Sequence, residues 1–369
     1  MDQALRQIAD RIRAAAADGA ALRIRGGGTK DFYGETPRGE LLDTTPLAGI
    51  TSYEPSELVV TVRAGTPLAE LEAALADKGQ CLPFEPPHFG DGATVGGMVA
   101  AGLSGPARAT AGSVRDYVLG LSMLNGRAGH LTFGGQVMKN VAGYDVSRVM
   151  AGSLGTLGLI TEVSLKVLPV APAEATLRFE LDEAAAIRQL NIWAGDPLPL
   201  NASSWVINEG RPALYLRLRG AVAAVDAAVR RLLAEVPGER VDSPETSADW
   251  TAARDLRLPW LADGYARGQD LWRLSVPQTA APLDVGDTMI DWLGAQRWVW
   301  ADPGDVAAAQ RLRAATAAVG GHATLFRPAT AVVSVPRFDA LKPPLDRIHL
   351  QLKREFDPSG VFNPGRLGS

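Results

Sequence analysis

Ile24-Arg25-Gly26-Gly27-Gly28-Thr29 ends a short strand pattern, Ala21-Leu22-Arg23-Ile24-Arg25-Gly26, that runs into a glycine cluster, and the fold of the first half of the chain turns on how it is read. Three consecutive glycines after a strand let bare backbone approach an anion, and their N–H groups can cradle phosphate oxygens. The spacing is not the G-x-G-x-x-G of a Rossmann fold, and no Gly-Lys-Ser/Thr follows as in a P-loop. Two more glycine bends lie further along. Thr94-Val95-Gly96-Gly97 precedes a small-residue helix beginning near Met98, and a helix start after glycines suits an anion or a carbonyl. Gly152-Ser153-Leu154-Gly155-Thr156-Leu157-Gly158 runs into the strand Leu159-Ile160-Thr161-Glu162-Val163. One such bend is unremarkable. Three within the first 170 residues, each against a strand or helix, point to a phosphate-bearing ligand.

The surrounding pattern is α+β. Leu5, Ile8, Ala9 and Ile12 fall on one face of an N-terminal helix, while Asp2, Arg6, Asp10, Arg11 and Arg13 exclude a signal peptide. GELLDTT and ELVVTVRAG read as strands. Pro67 opens a helix with Leu68, Leu71 and Leu75 on one face, and Gly79 stops it. QCLPF is extended, and YVLGLSMLNGRAGHLTF reads as a hairpin turning at Asn125-Gly126. A helix from Tyr144 to Met150 leads into LGLITEVSLKVLP. Pro169 and Pro172 mark a boundary, beyond which the order is β-α-β-β-α-β: TLRFEL, a helix through Leu190, SSWVIN, ALYLRLRG, a helix from Val222 to Glu235, then LWRLSVP, RWVWAD, a helix near Val306 to Val319, and HATLF. That is a ferredoxin-like split βαβ sheet with additions. All eight tryptophans lie between Trp193 and Trp300, and aromatics so concentrated read as core. The expected division is 1–170, 171–340, and a tail 341–369 that returns to the first domain.

Composition narrows the function. At 369 residues the chain suits two domains. A net charge of −4 and a pI near 5.7 argue against a nucleic-acid partner. No apolar run is long enough to span a membrane. One cysteine, Cys81, allows no internal disulfide, so the expected location is cytoplasmic, and it cannot supply the four ligands of an iron–sulfur cluster. Redox chemistry in this chain therefore needs an organic carrier or a partner chain. Ser104 in GLSGP lacks the glycine of a nucleophile elbow. The four histidines, 88, 130, 322 and 349, form no H-x-x-H pair, so no metal site is expected.

The order RGGGT, AGTPLAELEAALADKGQCLPFEPP, TVGG, GSVRDYVLG, VMKNVAGYD and GSLGTLGLITEVSLKVLP, with the tail FDPSGVFNPGRL, resembles the PCMH-type FAD-binding domain of the vanillyl-alcohol oxidase superfamily. Within it, CLPFEPPHFG, VMKNVAGYDVSRVMAGSLGTLG and GGHATLFR are similar to the FAD-binding E subunits of bacterial glycolate oxidases. The resemblance implies a two-subdomain FAD-binding domain followed by the ferredoxin-like α+β domain. It implies that Arg25, Gly26, Gly27, Gly28 and Thr29 form the pyrophosphate loop and that Thr94, Gly96 and Gly97 lie along the flavin. Arg115 and Asp116 would close the subdomain behind the cofactor. Gly152, Ser153, Gly155, Thr156, Gly158 and Ile160 would line the adenosine and diphosphate end, and Asn363 would return near the isoalloxazine. Thr29 stands where several relatives carry a flavin-linked histidine, so FAD is expected without a covalent bond; His88 is the other nearby histidine, and it is not expected to attach.

Oxidising a 2-hydroxy acid needs a cation for the carboxylate and a base for the hydroxyl proton. Arg327, Arg273 and His322 are the candidates, with Lys139 and Tyr144 in a family-like stretch. In place of the H-x-G-D-G-N-L-H motif of related dehydrogenases the chain has Gly321-His322-Ala323-Thr324-Leu325, and no constellation is complete. The resemblance implies partners: a homologous FAD-binding subunit bearing the hydroxy-acid site and an iron–sulfur subunit, with membrane association through them left open. Two rivals also stay open, a self-sufficient FAD-dependent oxidase of a small alcohol or 2-hydroxy acid and a flavin-free structural subunit.

Overall fold

The computed structural model describes residues 2–135, 145–208, 210–330 and 334–368. They fall into two compact units, the first of Met1–Leu103, Ser113–Pro169 and Ala340–Ser369, the second of Ser104–Gly112 and Val170–Asp339.

The first unit holds two cores. In the smaller, the helix Gln3–Asp18 is capped by Asp2, whose carboxylate accepts from the Leu5 N–H at 2.9 Å. Its apolar face, Leu5, Ile8, Ala9 and Ile12, is buried as its spacing predicts. Beside it β1 (Leu22–Arg25) pairs in parallel with β2 (Glu40–Asp43). The C-terminal tail completes this layer: Leu22 donates its N–H to the Val361 carbonyl at 2.7 Å, and the Asn363 N–H donates to the Leu22 carbonyl at 2.9 Å.

The larger core lies under an antiparallel sheet. The strands in chain order are β3 (Ile50–Glu54), β4 (Val59–Arg63), β5 (Gln80–Cys81), β6 (Val118–Leu124), β7 (His130–Gly134), β8 (Leu159–Lys166) and β9 (Leu168–Pro169). The sheet runs β3-β4-β8-β6-β7, and β5 pairs separately with β9. Leu68, Leu71 and Leu75 of the helix Leu68–Ala76 and Val95, Met98 and Val99 of the helix Val95–Ala101 fill its core. The β6–β7 hairpin turns through Asn125 and Gly126 as expected. Its last pair is Leu124↔His130, so five residues form the loop. The Asn125 side chain holds it by accepting from the Gly129 N–H at 2.8 Å.

The second unit is one eight-stranded sheet. Its strands are β10 (Ala173–Phe179), β11 (Leu200–Asn208), β12 (Arg211–Gly220), β13 (Gly238–Arg240), β14 (Asp270–Ser275), β15 (Thr288–Asp291), β16 (Gln296–Ala301) and β17 (His322–Arg327). The order β13-β10-β12-β11-β15-β16-β14-β17 contains the split βαβ arrangement twice. Numbered within each half, both run 4-1-3-2, and they meet edge to edge where Ser204 of β11 faces Asp291 of β15. The first half has helices in both crossovers, Glu183–Ala194 and Val222–Glu235. The second has the helix Val306–Ala318 in its last crossover and an irregular loop from 276 to 287 in its first.

Trp193, Trp205, Trp250, Trp272 and Trp298 are buried, so most of the tryptophans are core. At the junction of the halves, desolvation pushes the Asp291 carboxyl up to about 6, against the lowering effect of the bond from Trp298 Nε1 at 2.8 Å. Ser104–Gly112, which the linear reading leaves inside the first domain, clusters here instead. Trp292 Nε1 donates to the Gly105 carbonyl at 3.0 Å, and the Arg108 guanidinium lies 4.7 Å from the Trp292 ring.

Candidate functional site

A cleft open to solvent lies within the first unit. Its lining includes Ile24, Arg25, Gly26, Gly27, Gly28 and Thr29, together with Thr94, Gly97, Ala100, Ala101, Leu154 and Asn363.

The glycine loop leaves β1 and packs main chain to main chain against residues 92–94. A Cβ on Gly27 would overlap the Gly92 carbonyl, and one on Gly26 would overlap the Thr94 hydroxyl. Gly28 sits at φ +75°, beneath the Arg25 side chain, a conformation glycine adopts without cost. The N–H groups of Gly26, Gly27, Gly28 and Thr29 have no protein acceptor among the described residues. Four successive donors without acceptors beside a solvent-filled cleft form an anion cradle. The diphosphate of a dinucleotide fits that donor set.

The flanking loop is fastened from two directions. The buried Arg366 guanidinium donates to the carbonyls of Asp31 at 2.9 Å, Lys30 at 3.4 Å and Glu35. Lys30 Nζ donates to the His88 carbonyl at 3.3 Å, and the Phe32 and Phe89 rings meet edge to face at 5.2 Å. His88 Nε2 is 2.9 Å from Glu72, and His88 is not among the cleft-lining residues. Arg25 Nε is 2.7 Å from Asp31 Oδ2, so that guanidinium braces the loop.

The second bend behaves differently from the expectation of a donor-rich helix start. The Val95 N–H donates to the Thr66 carbonyl at 3.0 Å, the Gly96 N–H to the Ala64 carbonyl at 2.7 Å, and the Gly97 N–H to Thr94 Oγ1 at 3.2 Å. Gly96 faces β4 and its continuation: a Cβ there would lie 2.7 Å from Ala64 Cβ. Thr94 and Gly97 line the cleft, and Gly96 does not.

The third bend is docked on a helix. Gly152 and Leu154 donate to the carbonyls of Val99 and Ala100 at 3.0 and 2.9 Å, docking the bend on the helix Val95–Ala101. Thr156 Oγ1 donates to the Ser153 carbonyl at 2.8 Å, Gly158 is pressed against Met123 and Leu124, and Ile160 is core. Leu154 is the residue of this bend that lines the cleft; Gly152, Ser153, Gly155, Thr156, Gly158 and Ile160 are not among the lining residues. Asn363 joins the two parts. It accepts from the Ile24 N–H at 2.8 Å through Oδ1 and donates to the Leu154 carbonyl at 2.6 Å through Nδ2. Arg115 and Asp116 lie outside the cleft wall, exposed on the short helix Val114–Tyr117. The Asp116 carboxylate accepts from the Ser113 N–H at 2.8 Å, which holds it below the usual carboxylate range.

Sequence reasoning missed Arg23, Lys30, Asp31, Pro37, Ala100, Ala101 and Arg366 as wall residues. Arg366 was legible in the tail motif beside Asn363, whereas a lone Arg23 in a strand carries no signal.

Of the hydroxy-acid candidates, Arg273 on β14 neighbours His322, whereas Arg327 stands apart from it. His322 and Arg327 sit at opposite ends of β17, roughly 17 Å apart at strand rise. Partial burial and the neighbouring Arg273 push His322 below its ordinary range. Arg327 lies over the Tyr265 ring at 5.1 Å and Arg273 over Phe326 at 5.3 Å. Lys139 and Tyr144 lie outside the described residues. No helix among the described residues is long and apolar enough to cross a membrane.

The family model of an FAD binding domain matches residues 4–148. Fold, cradle and match together define an FAD-dependent oxidoreductase domain of the PCMH type. Almost end to end, the chain is similar to the glycolate oxidase subunit GlcE of Escherichia coli (strain K12), 43% identical over 361 residues, 98% of this chain and 96% of that protein. The chain belongs to the GlcE family of glycolate oxidase subunits. It is also similar to the glycolate oxidase subunit GlcD of Bacillus subtilis (strain 168), 32% identical over 179 residues, 47% of this chain and 38% of that protein. A solved structure titled alkyldihydroxyacetonephosphate synthase shares the fold, with a TM-score of 0.69 at 15% identity over 97% of this chain and 74% of that one.

Proposed function

We propose that this chain is the FAD-binding subunit of a heteromeric glycolate oxidase that converts glycolate to glyoxylate, with the hydroxy acid oxidised on a homologous FAD-binding partner. The observation that carries the reading is the row of four acceptor-less amides, Gly26 to Thr29, at the cleft. Bound FAD supplies a two-electron acceptor. The protein's part is to hold the diphosphate on these amides, with Arg25–Asp31 and Arg366 keeping the loop in shape. Thr29 and the His88–Glu72 pair leave the flavin without a covalent link. The separation of His322 from Arg327, with Arg273 engaged on the Phe326 ring, supports placing the carboxylate grip and the proton acceptor on the partner. A single cysteine supports sending electrons onward to an iron–sulfur subunit.

The test is to purify the chain alone and with co-expressed partner subunits, then record flavin absorbance before and after anaerobic glycolate. Both samples should be yellow and only the complex should bleach. Bleaching of the isolated chain would return the chemistry to this subunit, and a colourless chain would end the FAD reading.

A further inference from the structure

Four cations stand in the cleft wall, and three are engaged by the protein. Arg25 meets Asp31, Arg366 holds three carbonyls, and Lys30 binds the His88 carbonyl beneath the Phe89 ring. Arg23 differs from them. It precedes Arg25 by two residues on β1, so period-two alternation puts both on one face of the strand. Its Nε is buried without a hydrogen-bond partner, and no carboxylate pairs with it among the described residues. Burying a guanidinium nitrogen with nothing to bond is costly, and an anion in the cleft, neutralising the guanidinium as a whole, would offset that cost. The planar fork of an arginine suits a phosphate in two-point contact, adding charge where the amides of Gly26 to Thr29 supply neutral dipoles.

We infer that Arg23 is a binding residue for the anionic diphosphate of the dinucleotide, acting together with the Gly26–Thr29 amides. This rests on the reading that the cleft holds FAD by its diphosphate. Arg23 would select for the dinucleotide over flavins lacking phosphate, and it gives binding a component that salt weakens.

The experiment uses the full chain stripped of flavin, with Arg23→Gln and Arg23→Lys, titrated with FAD, ADP and riboflavin by fluorescence at several salt concentrations, with unfolding midpoints for each variant. Arg23→Gln should weaken FAD and ADP by roughly ten- to a hundredfold, flatten the salt dependence and leave riboflavin unchanged. Arg23→Lys should recover part of the loss. Unaltered FAD and ADP binding by Arg23→Gln, or an equal loss for riboflavin with a lowered midpoint, would overturn the role of Arg23 alone. Failure of the unsubstituted chain to bind FAD or ADP would overturn the cleft reading as well.

Discussion

Two glycine bends border one cleft in the first unit and use their backbone amides in opposite ways. At Gly26–Thr29 the N–H groups meet no protein acceptor. At Val95–Gly97 each is satisfied by Thr66, Ala64 or Thr94. The glycines of the first bend keep a donor surface open, with Gly27 tight enough against Gly92 to hold that surface in place. Gly96 permits close packing of a helix on the end of β4. A glycine bend is therefore a ligand site when its amides remain unpaired, and a packing device when they do not.

The comparison is broken or sharpened most strongly by paired alanines. Gly27→Ala must displace either the loop or residues 92–94, which misdirects several charge-assisted amide bonds at once. FAD affinity should fall on the order of a hundredfold or more. Gly96→Ala places a Cβ 2.9 Å from the Ala64 carbonyl and should cost about 1–3 kcal/mol of stability, with FAD affinity of the folded protein nearly intact. Flavin-to-protein ratios and urea midpoints separate the two. If both variants lose flavin alike, the distinction between the bends is wrong.

Asn363 tests how the open bend is held. Its side chain ties the Ile24 N–H, just before the loop, to the Leu154 carbonyl, and it is almost fully buried with φ at 40°. Asn363→Gly tolerates that backbone and removes both bonds, leaving a donor and an acceptor unpaired. A loss of about 2–4 kcal/mol in the unfolding free energy is expected, with weaker flavin retention as β1 loosens. Unchanged stability would mean that solvent satisfies both groups and that the tail does not position the loop.

Much of this was legible before any coordinates. The N-terminal helix face, the Leu68–Leu71–Leu75 stripe and the glycine loop after β1 each follow from local spacing, which is why they stand where expected. Pairings between distant segments have no local signature: Asn363 with Ile24 and Leu154 was reached through the tail motif, and its partners were not. Arg25 and Arg23 look equivalent in a string, and only the position of Asp31 distinguishes the braced guanidinium from the unpaired one. The second split βαβ half was hidden because its first crossover has no helix, leaving no 3.6-residue pattern to announce β15. Ser104–Gly112 is hard to place from the sequence for a related reason. Its small residues show no amphipathic face, and its place is set by Trp292.

The smallest effect bears on the closed bend itself. Thr94 Oγ1 accepts from the Gly97 N–H at 3.2 Å, the capping geometry of a residue with extended backbone before a helix. Thr94→Val keeps the shape and removes the acceptor, so the Gly97 amide, which borders the cleft, loses its protein partner. The expected cost is about 1 kcal/mol of stability, measured as a shift in urea midpoint, and Thr94→Ser should restore it. The informative quantity is the ratio of the two losses. If the Val95–Gly97 amides serve only the fold, FAD affinity should change by no more than the cap accounts for. If affinity falls much further while Thr94→Ser behaves as the original, the Thr94 hydroxyl also faces the ligand, and the second bend is a binding element through its side chain, where the first binds through its backbone.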